Sequence, residues 1–136
     1  MGRYGILAAL AFVVVWGLAG CRAASGPESE RSPIDFTVVE QRKLPEELWK
    51  IIEENKENEI RMTYEDGEEL YLVRGYGVQK TGGYSIAVEE CTEDEKTVWF
   101  GTKLLGPPGD AEYAKEPSYP YLVVKMEMRD KEVQIR

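Results

Sequence analysis

The second half of the chain alternates between apolar and polar positions. Ile60, Met62 and Tyr64 are separated by Arg61, Thr63 and Glu65, and after Asp66-Gly67 the run Leu70-Tyr71-Leu72-Val73 resumes. A period of two sends successive side chains to opposite faces of a strand, and Asp-Gly tolerates the positive φ that a tight turn requires. A hairpin is predicted there. Tyr84-Ser85-Ile86-Ala87-Val88 gives another strand, which ends in the acidic turn 92–96, and 97–105 returns with Val98, Phe100, Thr102 and Leu104 on one side. The last predicted pair is 121–128, turning at Arg129-Asp130-Lys131 into 132–135. Upstream, Ile34-Asp35-Phe36-Thr37-Val38-Val39 is β-prone and reads as one more strand.

Between that strand and the first hairpin the period changes. In LPEELWKIIEEN, Leu44, Leu48, Ile51 and Ile52 fall at i, i+4, i+7 and i+8, with Pro45 in the first turn and Glu46 and Glu47 where the helix dipole favours acids. This predicts one amphipathic helix of about three turns, with Trp49 packing beside its stripe. The fold class is therefore mainly β, an α+β domain. It should form an antiparallel curled sheet or small sandwich of about six strands, with one helix near its N-terminus.

The N-terminal segment obeys neither period. Arg3 gives a basic start, and Ile6 to Ala19 is an uncharged apolar stretch, short of the roughly 20 residues that span a bilayer. It reads as a secretory leader covering 1–20. The leader closes in Leu18-Ala19-Gly20-Cys21, which resembles the lipobox of bacterial lipoproteins. That resemblance implies a diacylglyceryl thioether on Cys21, an acylated (palmitate-type) membrane anchor, and a chain held on the extracytoplasmic face of the cell membrane. A leader in which the cysteine is incidental, or an uncleaved anchor, is the other reading of the same residues. Acyl chains contribute about 0.8 kcal/mol per buried methylene, and a single chain anchors only marginally. From Cys21 to Pro33 the chain is small, charged and proline-containing, which predicts a flexible tether at 21–33 and a single β-rich domain at 34–136.

Composition narrows the chemistry. The formal charge is −8, and it becomes one unit more negative when Arg3 leaves with the leader. With no basic cluster, this balance argues against nucleic-acid binding and against a polybasic contact with anionic lipids. Cys91 is the sole cysteine besides Cys21, so no internal disulfide is expected, and Cys91 reads as a strand residue facing an apolar layer. The chain has no histidine, which removes His-based nucleophile triads and His-containing zinc sites. Adjacent acids such as Glu68-Glu69, Glu89-Glu90 and Asp94-Glu95 point to opposite faces of a strand and read as solvated surface. EDGEE lacks EF-hand spacing, and Lys80 beside Gly82-Gly83 lacks the spacing of a phosphate loop. No catalytic residues, metal or cofactor are predicted.

One stretch carries a resemblance. Arg74-Gly75-Tyr76-Gly77-Val78-Gln79-Lys80-Thr81-Gly82-Gly83-Tyr84-Ser85-Ile86 resembles the G-x-K-P-T-G-G-Y-S-I stretch of the C-terminal domain of the protease-complex subunit PrcB family. Leu105-Gly106-Pro107-Pro108-Gly109-Asp110 and Ser118-Tyr119-Pro120-Tyr121-Leu122-Val123-Val124-Lys125 are similar to that family's proline loop followed by Y-P-Y and a valine-rich strand. Lys80 stands where the family has proline, which removes a constraint on φ. The resemblance implies a non-catalytic lipoprotein that associates with a secreted protease and stabilises it. The residues expected to meet the partner are Thr81, Gly82, Gly83, Tyr84, Pro107, Pro108, Tyr119, Pro120 and Tyr121. The same residues also admit a plain reading, in which Gly82-Gly83 is a tight turn, Tyr84 and Tyr121 are sheet or core residues, and the prolines end an edge strand.

T-G-G-Y is also similar to the N-P-T-T-G-Y loop of chagasin-type cysteine-protease inhibitors, with Tyr119-Pro120-Tyr121 near the place of their second loop. The asparagine-proline start and the arginine of that pattern are missing here. Inhibition of a protease is the second function this implies. A structural envelope lipoprotein that binds another envelope component is the third.

Overall fold

The computed structural model describes residues 30–109 and 112–136. The predicted leader, Cys21 and most of the predicted tether lie outside the described residues. The described elements are β1 (Ser32–Pro33), β2 (Thr37–Val38), a 3-10 turn (Gln41–Lys43), α1 (Glu46–Asn55), β3 (Glu59–Asp66), β4 (Glu69–Tyr76), β5 (Ser85–Glu93), β6 (Thr97–Leu105), β7 (Tyr121–Glu127) and β8 (Glu132–Ile135). They form two four-stranded sheets, in the order β1-β5-β6-β8 and β2-β7-β4-β3. The predicted small sandwich with one helix is present. Its strands number eight among the described residues rather than about six, because two are dipeptides too short to show a period.

Two cores follow from the alternation. Leu70, Leu72, Val124 and Met126 of the second sheet face Cys91, Val98 and Phe100 of the first, together with Ile34. On the other face of the second sheet, Tyr71, Val73 and Val123 pack with Ile60 against Leu48 and Ile52 of the helix. The helix has ten residues, too few to be stable alone in water. Burial of Leu48 and Ile52, at about 1.5–3 kcal/mol each, therefore holds it to the sheet. Central strand β4 is covered on both sides, and every residue from Leu70 to Gly75 is buried. This is the physical reason that LYLV reads as a continuous apolar run rather than an alternation. Pro45 caps α1 from outside its first turn, and the Tyr64 hydroxyl donates to Glu47 Oε1 at 2.8 Å.

Two predicted segments are arranged differently. The stretch 34–39 is not one strand, because the Ile34 amide donates to Cys91 O of the first sheet at 3.0 Å whereas Thr37 and Val38 pair with Lys125 and Val124 of the second. The expected hairpin across 129–131 is instead a crossing between sheets. β7 lies in the second sheet, and β8 runs parallel to β6 in the first, with Thr97 opposite Glu132 and Phe100 opposite Ile135. The crossing is fixed by Arg129 and Lys131, both of which converge on Glu93 Oε1 at 2.9 Å. Val133 and Ile135 then pack against the inter-sheet core, which a hairpin beside β7 would not allow.

The registers sort the connections into two ends. The turn at Gly67, the turn at 94–96 and the crossing at 129–131 share one end. Segments 77–84, 106–109 and 112–120 share the other, because Ser85 pairs with Leu105 and Gly75 with Tyr121.

Candidate functional site

The two segments singled out in the sequence meet at that second end and are bonded to each other. Gln79 and Ser118 form an antiparallel bridge, with Gln79 N–H donating to Ser118 O at 2.8 Å and Ser118 N–H to Gln79 O at 3.0 Å. Gly82 N–H donates to Ala114 O at 2.8 Å, and the Ser118 hydroxyl donates to Thr81 O at 2.6 Å. Thr81 Oγ1 donates to Gly82 O at 3.1 Å. Thr81 O and the Gly82 amide are thus held by the proline-containing loop and Gly82 O by the turn's own threonine, so the two segments form one platform.

Gly83 explains the second glycine. Its φ is +89°, a region that L side chains rarely adopt. A Cβ there would lie 2.8 Å from Pro107 Cβ and 2.9 Å from Tyr113 Cβ. The close approach that glycine permits is made by this chain's own second loop.

The remaining predicted residues divide between surface and interior. Pro108 is exposed, and Pro107 is half-buried against Gly83. Tyr84 is half-buried with its ring beside Gly106. Lys56 Nζ sits 4.9 Å from the centre of the Tyr119 ring, and Lys115 Nζ sits 4.5 Å from that of Tyr113. Pro120 O accepts from Tyr76 N–H at 3.0 Å and so extends the β4–β7 ladder by one rung. Tyr121 packs with the helix-side core; burial pushes its hydroxyl pKa up, with Glu53 adding to the rise and Lys56 opposing it. Cys21 lies outside the described residues. Val78, within the 77–84 segment, and Leu105, the last residue of β6, are exposed apolar side chains at this end, 52% and 41% accessible.

Sequence reasoning missed Arg74, which stands where a period of two demands an inward residue. It is 5% accessible, lies 3.9 Å from the Tyr76 ring centre, and reaches Glu59 at 3.3 Å and Gly75 O at 2.5 Å. The Tyr76 hydroxyl in turn shares a 2.5 Å hydrogen bond with the Thr102 hydroxyl of β6. These contacts tie the two sheets together beneath the platform. An arginine between Val73 and Gly75 gives no local hint of burial, since its partners come from β3 and from the backbone.

The rest of the surface offers little chemistry. A shallow groove of about 580 Å³ between the 3-10 turn and α1 is lined by Glu40, Arg42, Leu44, Glu46 and Trp49 among others. Among the described residues, no group of three or more His, Cys, Asp or Glu side chains is placed to hold a metal ion. No helix among them is long and apolar enough to cross a membrane.

Comparison with known proteins bears on this end of the molecule. The family model described as PrcB C-terminal matches residues 70–127, which bears out the resemblance read from the sequence. The match begins at the first buried residue of β4, ends with β7, and contains both platform loops. No curated protein and no solved structure matches the chain.

Proposed function

We propose that this chain is a non-catalytic extracytoplasmic lipoprotein whose β domain binds a secreted or membrane-associated protease and stabilises it. The observation that carries this reading is the closure of 79–82 onto 114–118 inside the stretch that matches the PrcB C-terminal model, a family whose name ties it to a protease complex. Loops already ordered by internal hydrogen bonds lose little entropy on binding. Tyr84 and Tyr119, with the exposed Val78, Leu105 and Pro108, supply the mixed aromatic and apolar contact area typical of interface centres. The acyl group proposed on Cys21 would keep the domain at the membrane, beside a protease anchored or secreted there.

Incubating the full chain with the secreted proteases of its own envelope tests the reading. Slower protease autolysis with retained activity is the expected result, and Pro108→Asp is expected to weaken the complex at least tenfold. Loss of protease activity would indicate an inhibitor, and absence of any effect a structural envelope role; either overturns the proposal. Intact-mass analysis of the native protein checks the anchor separately, since an unmodified N-terminal methionine excludes it.

A further inference from the structure

Both platform segments cross between the sheets. β4 belongs to the second sheet and β5 to the first, whereas β6 belongs to the first and β7 to the second. The distance between the sheets at this end therefore sets how the T-G-G turn meets the proline-containing loop. Over most of the sandwich that distance is set by apolar packing, with Leu72, Val98, Phe100 and Val124 fully buried between the sheets.

Beneath the platform the filling is polar. Arg74 and Tyr76 follow Leu70 and Leu72 at a period of two on β4 and so share their face, and the Arg74 guanidinium lies 3.9 Å from the Tyr76 ring centre. The Tyr76 hydroxyl meets the Thr102 hydroxyl of β6 at 2.5 Å. Thr102 is held in turn to Arg136 O, just beyond β8, by its amide at 3.1 Å and its hydroxyl at 3.2 Å. One polar chain thus runs from β4 in the second sheet to β6 and the end of β8 in the first.

This arrangement is poor for stability. Arg74 is 5% accessible, and its buried Nε has no hydrogen-bond partner among the described residues. The carboxylate it does reach, Glu59, is shared with Arg61 and has a side chain 57% exposed. A buried guanidinium with incomplete partners costs more than an apolar side chain of similar volume. Its presence points to a demand other than folding.

We infer that Arg74, Tyr76 and Thr102 are positioning residues of the platform. They hold the two sheets at one spacing beneath it, and so fix the turn and the loop in the relation that a partner reads, while adding little or nothing to stability. Directional hydrogen bonds and a stacked guanidinium define a spacing more sharply than apolar packing, which repacks readily. The inference rests on the protein-recognition reading above and names what keeps that surface in shape.

Two variants of the full chain, isotope-labelled in detergent micelles, test it. Arg74→Met removes the buried charge and leaves Glu59 solvated beside Arg61. Tyr76→Phe combined with Thr102→Val removes both hydroxyls of the crossing bond, so that neither is stranded. Both variants are expected to keep or raise the urea midpoint. Amide exchange in 79–84 and 112–116 is expected to quicken at least tenfold while Leu70 to Val73 keep their protection. Affinity for the secreted protease that the unmodified chain retains is expected to fall at least tenfold. A lower midpoint with exchange quickened throughout would make the three residues ordinary supports of the fold and overturn the inference, as would platform amides unchanged in both variants. A loosened platform that still holds the protease at full affinity would overturn the inference and leave the protease-binding reading intact. A loosened platform on a chain that retains no protease even when unmodified would do the reverse.

Discussion

Gly83 and Pro107 are packed so closely that a methyl group on the glycine would stand 2.8 Å from the proline Cβ. The contact joins the turn that precedes β5 to the loop that follows β6, and it exists only because residue 83 has no side chain. Gly83→Ala adds both a clash and an L residue at φ +89°, and is expected to lower stability by about 1–3 kcal/mol in urea unfolding. Gly82→Ala is the control. Its Cβ would meet Ala114 Cβ at 3.4 Å, an ordinary contact, and a loss under about 1 kcal/mol is expected.

Ser118 holds the same turn from the other side through its hydroxyl and Thr81 O, 2.6 Å apart. Ser118→Ala removes that donor and should cost about 1 kcal/mol. Amide exchange should quicken in 79–84 while the β4 amides keep their protection; uniform acceleration would show that the bond serves the whole fold instead.

Cys91 faces the inter-sheet core, and burial pushes its thiol up to about 11; Arg129 pulls it down, while Glu93 and Glu90 push it further up. Thiolate is the reactive form. At pH 8 the native chain should resist iodoacetamide at Cys91 for hours and react promptly in urea. Rapid native modification would mean that this face of β5 opens readily.

Glu93 anchors the crossing between the sheets. Burial raises its carboxyl pKa, but hydrogen bonds and charge from Lys131 and Arg129 outweigh this and hold it below the usual range. A depressed folded-state pKa contributes stability that is fully present above the ordinary carboxylate value of about 4.3 and is lost as pH falls through the lower folded value. Acid melts should therefore steepen below about pH 4.3 for the native chain. Glu93→Gln should melt lower at pH 7, by about 1–3 kcal/mol, and show a flatter acid limb.

Local chemistry made much of this legible. Asp66-Gly67 marked the β3–β4 turn, where Gly67 has φ +64°, and the spacing of Leu48 and Ile52 marked the buried face of the helix. The crossing at 129–131 was not legible, because Arg-Asp-Lys has the composition of a hairpin turn and the carboxylate that redirects it, Glu93, lies 36 residues upstream of Arg129. The motifs located both halves of the platform. Their closure onto each other depends on Ala114 O and the Ser118 hydroxyl, groups with no sequence signature of a contact. Arg74 was illegible for a similar reason, since what satisfies it comes from an edge strand and a neighbouring carbonyl.

β4 lends one face to each core, with Leu70 and Leu72 turned to the opposing sheet and Tyr71 and Val73 to the helix. Detaching the helix would wet the very strand on which the sandwich is built, so neither layer can be shed alone. Melting is therefore expected to be all-or-none rather than stepwise, with the helix and sheet signals lost together. A partner that grips the loops at the ends of β4 would thereby brace the whole domain against opening.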